Sequence, residues 1–441
     1  MLAARLGEFV AGIETAVLPR EVIDAVRLRV LDTLGAGLAG IALRHHRVLD
    51  TVLESAGSIR VWGEGATRSA REAALVNSFA AHSTYLEDGS RFTGGHPSSV
   101  VVPAVLADGE ARGASGAEMI AAVLAGYEIF LRLGRAIYPA CVQRGFQSTA
   151  VLGAVSSAAA LARLRRLSPE ACAHAIAIGA NLGVGMKEAL KCSATQPIQV
   201  ARACEGGMVA AALAQAGHEG APLVLENGFL PGFGEGAEAA SIVEGLGRDF
   251  RIGETYLKRH AGCRGNHAPL DCTLELIAAQ RLRADDVRRV TVAVDSVTRA
   301  AAIEPPLNGE QAQFSIGFSV ALAFVEGDVS IFSYTDARLA DAAIRSMMAR
   351  TEVVVDRALD ARYPTERGAW VEVELASGRR ARHGVTNARG EPECPLAAQD
   401  VERKFLALAA PCLGARASAL CDAVGQMEDF DAARIAALLM P

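Results

Sequence analysis

At 441 residues the chain is too long for one small core, so two domains or one large elaborated domain is expected. It is 51% hydrophobic, 21% charged and only 5% aromatic, an alanine-, leucine- and valine-rich mixture that suits closely packed helices. A net charge of -6 leaves no basic surface for nucleic acid, and no Lys/Arg-rich helix suggests a membrane face. The N-terminus lacks a charged segment followed by an unbroken apolar core, and no window reaches the roughly 18 apolar residues of a membrane span. A cytoplasmic protein is therefore expected. Nine cysteines, odd in number and without CxxC spacing, read as free thiols in a reducing compartment and give no metal site.

Residues 2–43 read as two helices joined at Leu18-Pro19-Arg20-Glu21, with Val22, Val26, Val30 and Leu34 at helical spacing. Gly35-x-Gly37-x-x-Gly40 matches the dinucleotide fingerprint formally, but it lies inside a helix with no strand before it, so it reads as a packing face. A short strand is predicted at 58–62, then helices over 69–81, 117–133 (with Ser115 as N-cap), 150–164, 169–178 and 199–216. Residues 230–247 are glycine-rich without helical periodicity, which marks a domain boundary and the natural place for a hinge. Beyond it, 289–295 and 370–375 alternate apolar and polar residues, and the latter turns at Ala376-Ser-Gly-Arg379 into a hairpin over 370–385. Helices interleave at 268–280, 312–326 and 336–348. Residues 400–439 are helical again and are expected to pack back on the first domain. The predicted organisation is a helical domain over 1–247, an α+β domain over 248–395, and C-terminal helices over 396–441.

Two polar stretches interrupt this apolar chain. The first is His82-Ser-Thr-Tyr-Leu-Glu-Asp-Gly-Ser-Arg-Phe-Thr-Gly-Gly-His96-Pro97, which carries two histidines, the adjacent carboxylates Glu87 and Asp88, and Arg91. Gly94 and Gly95 let the backbone bend before His96, and Pro97 fixes it after. A polar loop between rigid helices is where a scaffold holds a site. The second is Lys258-Arg-His-Ala-Gly-Cys-Arg-Gly-Asn-His267, which runs straight into a helix. His267 thus lies near a helix N-terminus, whose unpaired N–H groups favour an anion, and a cationic loop at a domain boundary suits a carboxylate. Taken singly, each stretch reads equally as a solvated connection, with His260 or His267 capping the helix in the second. Together they point to a site.

With these stretches in view, the sequence resembles the MmgE/PrpD family of dehydratases, decarboxylases and epimerases along nearly its whole length. The landmarks are Leu31-Asp-Thr-Leu-Gly35, Glu87-Asp88…His96-Pro97, Gly145-Phe-Gln-Ser-Thr-Ala150, Gln199-Val-Ala-Arg-Ala-Cys-Glu-Gly-Gly207, Cys263…His267 and Ala312-Gln-Phe-Ser-Ile316. The resemblance implies a mainly α fold, with a large helical domain and a smaller α+β lid. It also implies a homodimer, a site between the domains, and no cofactor or metal. His96 and His267 match the two family histidines given catalytic roles, and Glu87 with Asp88 matches the acidic pair. Tyr85 stands where those enzymes carry aspartate, Gly89 where they carry threonine, Gln147 where they carry histidine. Gln196 stands where a lysine receives substrate carboxylate, with Lys187 and Lys191 nearby.

The implied reaction is proton transfer at a carbon alpha to a carboxylate or carbonyl of a small organic acid, by a cofactor-independent lyase. An epimerase or isomerase is the close alternative, and a non-catalytic binding relative the remote one. His96 and His267 are the expected acid/base pair, with Asp88 orienting one imidazole. Lys258 and Arg259 are expected to anchor carboxylate, and Tyr85, Glu87, Arg91, Gln147 and Gln196 complete the expected substrate-binding set. Amides at lost cation positions argue against a tricarboxylate.

Overall fold

Proline and capping residues divide the first half of the chain into α1 (Leu2–Gly12), α2 (Arg20–Ala42), α3 (Ala70–Ser83), α4 (Ser98–Arg112), α5 (Gly116–Ile137), α6 (Ala140–Gln143), α7 (Ser148–Leu164), α8 (Pro169–Gly179) and α9 (Thr195–Gln215). The short strands β1 (Ile59–Arg60) and β2 (Thr67–Arg68) pair antiparallel ahead of α3. This is a computed structural model, and it describes residues 1–191, 195–236 and 238–441. The expected free thiol Cys192 lies outside the described residues, as does the side chain of Lys191. Side-chain caps start the helices where the sequence places them. Ser115 and Glu118 form a reciprocal capping box on α5, and Ser168 with Pro169 opens α8.

Helices α5 and α7 are buried almost all round, so the interior of this unit is built from helices without a solvent stripe. Alanine and glycine let them approach closely. A Cβ on Gly207 would stand 2.4 Å from the Ser157 side chain, and one on Gly40 would stand 2.2 Å from the Ala80 carbonyl oxygen. The small faces at Gly207 and Gly40 are therefore occupied by packing within the unit.

The glycine-rich segment continues as α10 (Leu230–Phe233) and α11 (Ala239–Val243), with Ala237 outside the described residues. Buried Arg132 of α5 donates to the carbonyls of Ile242 at 3.1 Å, Glu244 at 2.7 Å and Asp249 at 2.7 Å. Its partner Glu128 accepts the backbone N–H groups of Arg251 at 2.6 Å and Ile252 at 3.2 Å. These bonds hold the segment to α5, so the first unit runs to Tyr256 and not to 247. The segment 230–247 expected to hold the hinge thus lies within the first unit, and the chain leaves that unit at Tyr256–Leu257.

The second unit spans Leu257–Leu396. It contains α12 (His267–Gln280), β3 (Val287–Val294), α13 (Ser296–Ala301), α14 (Gly309–Ala312), α15 (Ile316–Glu326), α16 (Asp336–Leu339), α17 (Ala342–Ala349), β4 (Thr351–Val355), α18 (Arg357–Asp360), β5 (Ala369–Leu375) and β6 (Arg380–Val385). The strands form one sheet in the order β4-β3-β5-β6, with β3 and β4 parallel and the other pairs antiparallel. The predicted hairpin is β5–β6. Ala369, Val371, Val373 and Leu375 alternate inward, and α12 covers β5 and β6. Two predicted helices are split, for a shared reason. Ser315 accepts the Phe318 N–H and Asp341 accepts those of Ala343 and Ile344, so each polar side chain starts a new helix.

The chain then returns to the first unit as α19 (Ala398–Leu413), α20 (Arg416–Gly425) and α21 (Ala432–Leu438), with α19 packed along α2. The fold is predominantly helical with a small α+β part, as the sequence predicts. Among the described residues, no helix is long and apolar enough to cross a membrane.

Candidate active site

In the first unit, the loop between α3 and α4 gathers a chain of polar side chains. His82, in the last turn of α3, is fully buried, and its Nδ1 lies 2.6 Å from Glu87 Oε1. Its Nε2 lies 3.2 Å from the Gln196 amide nitrogen, which has only protons to give. His82 Nε2 is thus the acceptor, and Nδ1 carries the proton donated to Glu87. Tyr85 closes the chain by donating its hydroxyl to Gln196 Oε1 at 3.4 Å.

The His96 ring stands edge-on to His82 with centroids 5.4 Å apart, and its side chain is 17% exposed. His96 Nδ1 lies 2.6 Å from the Asp88 carbonyl oxygen, with Glu87 Oε1 at 3.7 Å. A carbonyl only accepts, so Nδ1 carries the proton, and in the neutral ring Nε2 holds the lone pair. A Cβ on Gly89 would stand 2.9 Å from His96 Nδ1 and 2.4 Å from the Tyr256 hydroxyl, which is why no larger residue fits between them. The Asp88 carboxylate serves the scaffold. It accepts Ser98 N–H at 3.2 Å, at the start of α4, and the Tyr127 hydroxyl of α5 at 2.9 Å. Burial pushes the Asp88 carboxyl up to about 6 against the downward pull of Ser98, Arg29 and Tyr127. Burial beside Asp88 likewise keeps the Tyr127 proton on its oxygen.

The second unit has its own histidine pair. His260 Nε2 bonds Asp271 Oδ1 at 2.9 Å, and the His267 ring lies 5.6 Å from that of His260. Asp271 also accepts the Arg389 backbone N–H at 2.8 Å and lies 3.4 Å from Arg259. Burial raises the Asp271 carboxyl, but His260, that N–H and Arg259 outweigh it and the net shift is downward. His267 is the first residue of α12, buried and hydrogen-bonded to the Gly262 backbone. Burial holds it well below the ordinary histidine range, reinforced by the charges of Arg264, His260 and Lys258. It is therefore neutral near neutral pH. Its Nε2 has no hydrogen-bond partner among the described residues. Among these residues no three His, Cys, Asp or Glu side chains gather as a metal ion would require.

Residues 4–241 match the MmgE/PrpD N-terminal domain and residues 260–427 the MmgE/PrpD C-terminal domain. The chain belongs to the MmgE/PrpD family. It is 26% identical to a cis-aconitate decarboxylase-like protein of Aspergillus oryzae, over 92% of this chain and 90% of the relative. It is 25% identical to the cis-aconitate decarboxylase of Aspergillus terreus, over 76% and 74%, and 24% identical to that of Homo sapiens, over 95% and 90%. With this membership and these relatives, the chain is an enzyme of the lyase type.

Several MmgE/PrpD landmarks act here as supports for the histidines. Thr149 Oγ1 accepts the His96 backbone N–H at 3.0 Å. Asn266 reaches the Gln313 carbonyl at 3.0 Å and Ser319 Oγ at 2.9 Å, tying the 258–267 loop to the 312–316 segment. Three of the expected site residues have these partners within the protein. Asp88 orients His96 through its backbone carbonyl, because its carboxylate is spent on Ser98 and Tyr127. Glu87, expected to bind substrate, is the carboxylate bonded to His82. Gln147 caps α7 by accepting Ala150 N–H at 2.6 Å. Arg91 stacks on Phe92, its guanidinium 4.8 Å from the ring centre. Lys258 is buried and Arg259 is 38% exposed along its side chain. Sequence reasoning named His82 and His260 without giving them a place in the site, and passed over Tyr127, Tyr256 and Asp271. The spacing of His82 five residues before Glu87, at a helix end, was the one local signal for any of them.

Proposed function

We propose that the chain is a cofactor-independent lyase that removes the proton alpha to a carboxylate of a small organic acid, with His96 as the base. The observation that carries this is the 2.6 Å bond from His96 Nδ1 to the Asp88 carbonyl, which turns a lone pair on Nε2 toward use as a base. His96 takes the proton, and the C–H electron pair delocalises into the carboxylate as an enolate. The pair then returns to form the double bond while a β-hydroxyl leaves as water, carrying the proton from the His96 imidazolium. In a decarboxylation no proton is first abstracted: the C–CO₂ bond breaks, its electron pair passes to carbon, and that carbon takes a proton from a His96 imidazolium that solvent has protonated. Lys258 and Arg259 are cations of the second unit whose chemistry suits an anionic group such as a carboxylate.

The curated relatives are named for cis-aconitate, a tricarboxylate. Here Gln196, an amide, bonds His82 and Tyr85. That favours an acid with fewer carboxylates, since an amide offers no charge-assisted bond to a third one. We further propose a homodimer, on the family resemblance. Light scattering that returns a single chain mass would contradict it.

One observation favours a second reading. His267, bonded through one ring nitrogen to the Gly262 backbone and with Nε2 unpartnered among the described residues, is itself a neutral base within the second unit, and proton removal and return without elimination is epimerase chemistry. Incubation with mono- and dicarboxylic acids in deuterated water, followed by NMR, separates the two. New alkene or released CO₂ supports the lyase, whereas exchange with inversion and no new alkene supports the epimerase. Activity is expected to survive chelation and desalting. If no acid exchanges its alpha proton, the reading fails.

A further inference from the structure

Tyr85 has φ +49°, a left-handed backbone that a bulky residue adopts only when its surroundings impose it. It sits between His82 and Glu87, so this turn decides whether the carboxylate meets the imidazole. Three sets of bonds fix the chain around it. Tyr85 N–H donates to the His82 carbonyl at 3.1 Å. Gly89 and Tyr256 exchange two backbone bonds, at 3.1 and 2.8 Å. The third comes from a side chain 318 residues away in sequence: Lys404 Nζ of α19 donates to the Leu86 carbonyl at 2.8 Å. The same ammonium is held by Asp32 Oδ1 of α2 at 2.6 Å. The Lys404 side chain is 9% exposed and that of Asp32 is 0% exposed.

We propose that Lys404 is a positioning residue. Its ammonium, anchored by Asp32, latches the Leu86 carbonyl, so that Tyr85 stays left-handed and Glu87 is delivered to His82. Helix packing does not need this ion pair. Leu408 and Phe405 of the same helix already pack against Gly35 of α2, and a buried pair is often replaced by apolar or neutral groups without loss of stability. What an apolar replacement cannot supply is the donor to Leu86. The consequence for turnover rests on the proposed proton-transfer function, whereas the latch itself does not.

The test is the double variant Asp32→Asn/Lys404→Met, which removes both charges together and avoids a lone buried carboxylate. Hydrogen exchange followed by mass spectrometry is expected to speed up at least tenfold, by order of magnitude, over peptides covering 85–89, with exchange in α5 unchanged. On a substrate identified as above, kcat is expected to fall about 10- to 100-fold with KM little altered, as for a small displacement of a reacting group. Lys404→Arg, which keeps charge and donors, is expected to restore most of the protection. If the double variant does not fold, Lys404→Gln, too short to span Asp32 and Leu86, takes the same readouts. Unchanged exchange at 85–89 overturns the latch, and faster exchange with unchanged kcat overturns the positioning role. Faster exchange in a protein whose wild type turns over no acid would sink the proposed function and leave the latch standing.

Discussion

Each unit holds a histidine pair in which one ring is bonded to a carboxylate and the second ring lies 5.4 or 5.6 Å away, but the charged neighbours of the two pairs differ in sign. His82 and His96 lie with Glu87 and Asp88, and only the backbone of Asp88 touches a ring. His260 and His267 lie in the field of Arg264 and Lys258, with Arg259 on Asp271, and that field with burial keeps His267 neutral. The same residue types therefore suit different work. His82 and His96 each turn Nδ1 to an oxygen acceptor, while His267 stays neutral among cations and adds no charge of its own beside an anion.

The largest effect that would break this comparison comes from the rings themselves. His96→Gln is expected to lower kcat by about 10²- to 10⁴-fold, the range of a lost general base, with the fold kept as judged by circular dichroism. His267→Gln should be comparably severe. Full turnover in either folded variant would remove that ring from the chemistry.

Asp88 sharpens the contrast, because its carboxyl is buried with no ion pair among the described residues. Its value lies at about 6 in the fold against a usual 3.8, so the folded state binds its proton more tightly than the unfolded state does. The stability it contributes is fully present below about pH 4 and is lost as pH rises through about 6, a change on the order of 3 kcal/mol. Asp88→Asn should flatten this decline, since Asn can still accept from Ser98. Urea unfolding at pH 4.5 and 7.5 measures it, and an unchanged difference between the two would contradict the assignment.

Glu87→Gln and Asp271→Asn ask whether the two carboxylates are equivalent. Each leaves an isosteric acceptor but removes the charge that fixes its histidine, so falls in kcat of about 10- to 100-fold are expected, by loss of orientation. A large effect at one site and none at the other would show that the pairs are alike in shape only. The smallest effect expected is in binding. Gln196→Lys should improve KM for a tricarboxylate about tenfold, within the 1.5–3 kcal/mol of a charged hydrogen bond. No change there would remove Gln196 from specificity.

Both loops were legible because glycine and clustered charge stand out against so apolar a chain, and the helix starts were legible because caps act within three residues. The hairpin β5–β6 was legible from its alternation. Strand β4 was not, since a parallel strand reached by a crossover carries no turn signal and Thr351–Val355 is too short for a clear period. The resemblance located His96 and His267, but not what holds them. Thr149 meets His96 from 53 residues away, and Lys404 meets Asp32 from 372. Such partners share no local pattern. The split roles of Glu87 and Asp88 were hidden for a related reason: adjacent residues on a turning backbone point to different neighbours.

The most direct measurement is long-range ¹H–¹⁵N correlation on histidine-labelled protein across pH 6 to 8, with His96→Gln and His267→Gln used for assignment. The account predicts that both rings, when neutral, carry the proton on Nδ1, and that the His267 signals do not move across the range. A proton on Nε2 of either neutral ring, or a His267 midpoint inside that range, would contradict it.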